Sequence, residues 1–79
     1  MKHTLYLSDA IDEKVNAQKL GEFDTIQQMW ELSYQQDIGN RKMYCRYLMG
    51  KEFTSIDFGS WSKFLLVEPP LGIEDLEKA

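Results

Sequence analysis

The tripeptide Asp57-Phe58-Gly59 suggests catalysis most directly, because protein kinases use the same three residues to hold magnesium. Kinase chemistry also needs a glycine-rich phosphate loop, a strand lysine paired with a helix glutamate, and a catalytic HRD loop. The 79-residue sequence contains none of these. Gly59 and Ser60 are instead typical of a tight turn, so we predict that this stretch joins two strands of a hairpin.

The sequence has few residues that could support nucleophilic catalysis or bind zinc. His3 is the only histidine and Cys45 is the only cysteine, which is too few for a zinc site built from nitrogen and sulfur ligands. Ser60 and Ser62 have no histidine nearby in sequence that could activate them as nucleophiles. Cys45 alternates with apolar residues, which favours a buried core position.

The acidic residues near the N-terminus are the remaining candidates for acid–base or metal chemistry. Asp9, Asp12 and Glu13 would share one face if this region were helical. Carboxylates are common in the first turn of a solvated helix, where the helix dipole favours negative charge. We therefore expect no enzyme activity, no metal site and no cofactor.

The composition indicates a folded intracellular domain. Hydrophobic residues make up 43% of the chain, and the longest apolar run, Phe64 to Val67, is far too short to cross a bilayer. The N-terminus has no extended apolar region typical of a signal peptide. A single cysteine cannot form an intrachain disulfide, which fits a reducing compartment. We expect a cytoplasmic protein without membrane segments.

The first third of the chain contains one clear strand and one ambiguous region. Alternation over residues 3–7 predicts a strand. Residues 9–19 favour a short helix, because Ser8 can cap it and Ile11 and Val15 would share a face. The alternative is a polar loop leading into a second strand, "KLGEF", with a bulge near its glycine.

The strongest element is a helix predicted at about residues 24–37. Asp24 is a good N-cap residue, and Gln27 follows three positions later as in a capping box. Helical spacing places three large apolar side chains on one face: Ile26, Met29 and Trp30.

Three strands joined by short turns are predicted after the helix, at about residues 42–49, 52–58 and 61–67. The last is apolar on both faces, as is typical of a central strand, and Pro69-Pro70 ends it. The sequence therefore predicts an α+β domain over residues 1–68, in which an antiparallel sheet of about four strands carries the helix on one face. We expect residues 69–79 to form an acidic C-terminal tail.

The strand after the helix and the start of the last strand carry the most promising contact residues. Four residues belong to types enriched in protein interfaces or would lie on the sheet face away from the helix: Tyr44, Arg46, Leu48 and Trp61. An apolar sheet face that no helix covers would bind a partner protein or a second copy of the chain. The alternative is that the N-terminal segment covers this face.

Nucleic-acid binding is the second functional hypothesis. A basic group lies in the middle of the chain and could follow a single strand: Arg41, Lys42, Arg46 and Lys51. The formal net charge of −4 opposes this hypothesis, because phosphate neutralisation supplies most of such affinity. We therefore expect nucleic acid to be a less favoured partner than protein.

Three stretches together resemble a group of known proteins: "LGEFDTI", "YCRY" and "IDFGSWSKFLLV". Over about residues 20–67 the chain resembles small uncharacterised accessory proteins of bacteriophages, prophages and conjugative elements, mainly of Gram-positive bacteria. The resemblance implies a mobile-element protein that binds a host protein, such as a defence nuclease, and inhibits it. It implies no catalytic residues.

Overall fold

The computed structural model describes residues 2–34, 46–57, 63–72 and 74. The described residues form five β-strands and one α-helix, in an α+β arrangement as predicted. In chain order they are β1 (His3–Ser8), β2 (Gln18–Phe23), α1 (Ile26–Tyr34), β3 (Arg46–Met49), β4 (Thr54–Asp57) and β5 (Phe64–Glu68).

The strands form one antiparallel sheet in the order β2-β1-β5-β4-β3. The last strand, β5, therefore lies between β1 and β4, which confirms its prediction as a central strand. Leu65, Leu66 and Val67 are fully buried, because one face of β5 meets the core and the other face is also covered. The predicted turn at Gly59 and Ser60 lies outside the described residues.

The sheet has five strands rather than about four, because the prediction of a short helix over residues 9–19 was wrong. Residues 9–17 contain no helix and connect β1 to β2. The Ser8 hydroxyl accepts the N–H groups of Ala10 and Val15, and such side-chain bonds to the backbone compete with helix formation. β2 matches the alternative prediction and carries a bulge at Leu20, where the pairing with β1 skips one residue.

The helix α1 begins at Ile26, two residues after the predicted start at 24, and Thr25 rather than Asp24 has the capping role. The Thr25 hydroxyl accepts the N–H of Gln28 at 3.2 Å, and the Gln28 side chain accepts the N–H of Thr25 at 3.1 Å. Phe23 is still paired in β2, so the chain needs a further residue to leave the sheet before the helix starts. The predicted residues 35–37 of the helix lie outside the described residues.

The main core lies between α1 and one face of the sheet. As predicted, Met29 is fully buried, and Ile26 and Trp30 pack partly buried against the same cluster, which includes Leu65. Leu66 lies on the opposite sheet face, and Cys45, for which the sequence favours a buried core position, lies outside the described residues. The remaining buried members of the cluster are Leu5, Leu7, Phe23, Ile56, Val67 and Leu71.

Residues beyond β5 take part in this packing. Leu71 is buried in the core cluster, and its backbone N–H donates to the Thr54 hydroxyl at 2.8 Å. The carbonyl oxygen of Pro69 lies 2.7 Å from Nδ1 of His3, whose ring stacks on Phe23. The packed region therefore includes Leu71, beyond the predicted domain boundary at residue 68. Within the described ranges, no helix is long and apolar enough to span a bilayer.

Candidate functional site

The strand β3 lies at one end of the sheet and carries two exposed apolar side chains. Among the described strands it pairs only with β4, with Leu48 opposite Ser55 and Met49 opposite Thr54. Leu48 and Met49 are both 44% exposed. An end strand presents backbone N–H and C=O groups that can pair with another chain, so this edge is a candidate contact site.

Arg46, a predicted contact residue for both hypotheses, forms an ion pair across the two strands. Its guanidinium donates to the Asp57 carboxylate at 3.1 Å, and the two residues are direct cross-strand partners. The Arg46 side chain is 63% exposed, so the pair contributes at most about 1 kcal/mol to stability. The pair does reduce the positive charge that Arg46 can offer to a phosphate.

A groove of about 360 Å³ runs beside the end of β3. The turn after β3 is closed by a hydrogen bond from the Gly50 N–H to the Phe53 carbonyl, at 3.0 Å. The groove is lined by apolar side chains, by the polar residues of this turn, and by one residue from the β1–β2 connection: Leu48, Met49, Gly50, Lys51, Glu52, Phe53, Ser55 and Asp12. An apolar side chain of a binding partner would find aliphatic and aromatic contacts here.

Residues 9–17, which we call the strap, cross the sheet face opposite α1. The Ser55 hydroxyl donates to the Ile11 carbonyl, and Lys14 pairs with Glu68 at the end of β5. The Lys14 ammonium also lies 4.4 Å from the ring centre of Tyr6 in β1. The strap thus contacts β1, β4 and β5, and Leu66 and Ser55 on this face are buried. It covers the middle of the face and leaves Leu48 exposed, so the N-terminal segment covers this face only in part.

The two ends of the strap are joined by Ser8, whose side chain is fully buried. Its hydroxyl accepts the N–H of Val15 at 3.1 Å and that of Ala10 at 3.3 Å, and its single proton is shared between the carbonyls of Glu13 and Val15. The backbone N–H of Asp9 donates to the Val15 carbonyl at 2.9 Å. These bonds close the strap into a compact loop.

Two charged residues of the strap have altered pKa values. The hydrogen bond from Lys63, with a second from Asn16, lowers the pKa of Asp9. The hydrogen bond to Glu68 raises the pKa of Lys14. In both cases the partner favours the charged form, so these ion pairs hold the strap most firmly when all four groups are ionised.

The structure describes some of the predicted contact residues and not others. Arg46, Leu48 and Lys51 lie together at the β3 end of the sheet, and all three are exposed. The other predicted residues lie outside the described part of the chain: Tyr44 and Trp61 of the protein-binding set, and Arg41 and Lys42 of the nucleic-acid set.

Of the eight lining residues of the groove, the predicted contact residues include only Leu48 and Lys51, and three of the others show why. Alternation places Met49 on the helix-facing side of its strand, but it is exposed because β3 lies at the end of the sheet. The tight turn predicted at Gly50 was a usable signal for Phe53, since such a turn brings the start of the next strand beside Met49. Nothing in the local pattern indicated Asp12, which reaches the groove because the strap crosses the sheet.

Metal binding has no support in the described residues, where no group of three or more histidine, cysteine, aspartate or glutamate side chains could hold an ion. A second groove lies beside α1 and is polar, with Glu22, Asp24, Gln28 and Glu31 among its lining residues.

Comparison with protein-family models, with curated proteins and with solved structures finds no match to this chain.

Proposed function

We propose that this chain is a non-enzymatic protein-binding protein, and that its partner adds an extended segment to the edge of β3. The observation that carries the proposal is the exposure of Leu48 and Met49 on an end strand, beside a groove. Backbone hydrogen bonds along such an edge provide affinity, and side-chain pockets provide specificity.

The chemistry of the groove defines the partner segment. Leu48, Met49 and Phe53 favour an aliphatic or aromatic side chain that enters the groove next to the added strand. The exposed Lys51 and Glu52 would lie at the rim, where charges affect the association rate more than the affinity. An extended segment with alternating apolar residues therefore fits this edge.

The kind of partner and the effect of binding that we propose follow the resemblance to mobile-element accessory proteins. The partner would be a host protein in the cytoplasm, and binding would inhibit it, as for a nuclease of host defence. The acidic residues near the two ends of the sequence would help to attract a basic partner. Pairing of two copies through the same edge is a competing outcome, which light scattering would detect.

Single-strand nucleic-acid binding is less well supported. Of the four basic residues in that hypothesis, Arg46 is paired with Asp57 and Lys51 is next to Glu52 in sequence. Titration with a fluorescent oligothymidine at low salt tests this alternative. Saturable binding that is lost in Arg46→Ala would favour it over protein binding.

The protein-binding proposal is tested with two matched variants on opposite end strands. Leu48→Asp places a charge on the β3 edge, which opposes strand addition. Gln18→Asp introduces the same residue at an exposed position of β2, at the other end of the sheet. Both side chains are exposed, so both variants should fold.

The tagged chain is used to capture proteins from a lysate of a Gram-positive bacterium, and each purified candidate is then titrated against the ¹⁵N-labelled chain. We expect amide shift changes at residues 46–49, and a loss of affinity of roughly tenfold or more in Leu48→Asp only. Equal binding by both variants, or shift changes confined to other parts of the sheet, would refute the β3 edge as the site.

A further inference from the structure

We propose that the strap, residues 9–17, opens as a unit while the five-stranded sheet stays folded, and that its opening changes the shape of the groove beside β3. The opening concerns the free chain and stands independently of any partner. A role of this opening in regulating partner binding rests on the proposed function.

The first support is the polar character of the contacts that hold the strap. Within it, Ile11 and Val15 are only half-buried, and most other strap residues are exposed. Its attachments to the rest of the fold are the contact of the Lys14 ammonium with the Tyr6 ring, together with hydrogen bonds and ion pairs made by Ser8, Ser55, Lys63 and Glu68. Segments with few buried apolar contacts open at lower free energy than the cooperative core.

The second support is that the sheet does not depend on the strap for its main core. The buried cluster lies on the opposite face, between the sheet and α1, and none of its members belongs to the strap. β1, β5 and β4 are joined by continuous backbone pairing. Opening would expose Leu66 and Ser55 but would leave the core cluster and the strand pairing in place.

The third support is the position of the strap beside the groove. Asp12 of the strap lines the groove, and Ser55, another lining residue, donates its hydroxyl proton to the carbonyl of Ile11. When the strap opens, this hydrogen bond breaks and the Asp12 side of the groove moves away. The groove then widens towards Leu66, which is apolar and fully buried in the closed form.

The test is native-state amide hydrogen exchange of the free chain, followed by NMR. The Asp9 amide is bonded to the Val15 carbonyl within the strap, and the Val15 amide is bonded to the Ser8 hydroxyl at the end of β1. The Leu5 and Leu66 amides lie in strands that have a neighbour on each side. We expect Asp9 and Val15 to share one protection factor, roughly tenfold or more below that of Leu5 and Leu66. Equal protection of all four amides would show that the strap opens only with the whole fold, and would overturn the proposal.

Two variants and one control substitution sharpen the test. Ser8→Ala removes the hydroxyl that joins the ends of the strap, and should speed exchange of Asp9 and Val15 by roughly a further tenfold, with a much smaller effect on Leu5. Lys63→Met removes the ion pair between Lys63 and Asp9, and it replaces Ser8→Ala in this test if Ser8→Ala does not fold. Glu13→Gln is the control, because this side chain is exposed and its hydrogen-bonding group is its backbone carbonyl. An equal effect of Glu13→Gln would contradict the assigned attachments.

Coupling to the groove is measured by methyl relaxation dispersion at Leu48 and Met49. We expect conformational exchange at these methyl groups, with the opening rate found for the strap amides, and a larger population of the open form in Ser8→Ala. Methyl groups that show no exchange while the strap amides do would overturn the groove part of the proposal. These measurements need no partner, so a failed capture experiment would count against the proposed function and not against the strap.

Discussion

The Thr54 hydroxyl forms two hydrogen bonds with the backbone of Leu71, accepting its N–H at 2.8 Å and donating to its carbonyl at 2.9 Å. Both residues are buried, so water cannot easily take the place of Thr54 as the hydrogen-bond partner of the Leu71 N–H and carbonyl. This pair fixes the chain after β5 against β4 and places the Leu71 side chain in the core. Thr54 therefore connects the C-terminal part of the packed region to the sheet.

Replacement of Thr54 by valine tests this connection. Valine keeps the shape of threonine but leaves the N–H and carbonyl of Leu71 unpaired, so we expect a loss of about 1–3 kcal/mol in the free energy of unfolding. Urea denaturation measures the change. Thr4→Val is the control, because Thr4 is only half-buried on the opposite sheet face, and it should change stability by less than about 0.5 kcal/mol. Equal effects of the two variants would contradict the role of Thr54.

The start of α1 is tested by comparing two adjacent residues. Thr25→Ala removes the hydroxyl that accepts the N–H of Gln28, and should cost about 0.5–2 kcal/mol in the free energy of unfolding. Asp24→Ala removes only a charge near the helix start and should cost about 0.3–1 kcal/mol. The difference is measured by urea denaturation at neutral pH. A larger effect at Asp24 would restore the capping role that the sequence pattern predicted for it.

The ion pair between Asp9 and Lys63 should make the free energy of unfolding depend on pH in the acidic range. The hydrogen bond from Lys63 lowers the pKa of Asp9 in the folded chain, so this residue contributes stability above its unfolded pKa of about 3.9. That contribution is lost as the pH falls through the lower folded pKa. We expect the stability difference between wild type and Asp9→Asn to be present near neutral pH and to shrink below about pH 4.

Denaturation of wild type and Asp9→Asn at several pH values measures this difference. Asp12→Asn is the matched control, because the Asp12 side chain is exposed on the same strap. Its profile is the reference against which the pH dependence of Asp9→Asn is compared. If Asp9→Asn and Asp12→Asn gave the same pH profile, the pairing of Asp9 with Lys63 would not persist in solution.

Gly21 is a position where a side chain is disfavoured for two reasons. Its φ angle is +154°, which L-residues rarely adopt, and a Cβ atom there would lie 2.9 Å from the Leu32 side chain. We expect Gly21→Ala to destabilise the fold by about 1–3 kcal/mol, measured by thermal or urea unfolding. The same substitution in a Leu32→Ala background separates the causes. A cost that disappears in that background would assign the effect to Leu32 rather than to backbone conformation.

Much of the architecture followed from local patterns. Apolar spacing at 26, 29 and 30 predicted the helix face that packs on the sheet, and the doubly apolar run ending at Val67 predicted a central strand. These predictions held because burial of a periodic apolar face is the main driving force at those positions. The polar stretch between β1 and β2 has only Ile11 and Val15 at helical spacing, and that pair with a favourable helix propensity was a weak guide.

The candidate site was predicted only in part. The sequence indicated that Arg46 and Leu48 share a strand face, which the cross-strand pairing confirms. It did not indicate that Met49, on the other face, would also be exposed. That exposure depends on the position of β3 in the strand order, and strand order is set by long-range pairing that leaves no local signature.

By itself, the sequence determined the α+β class, the helix with its buried face, and the strand character of β1, β3, β4 and β5, because these depend on the spacing of apolar residues along the chain. The tertiary structure alone decided that β5 inserts between β1 and β4, which makes β3 an end strand. It also decided that residues 9–17 cross the second face and that Asp9 meets Lys63. These relationships join residues far apart in sequence, and they exist only when several strands are paired at once.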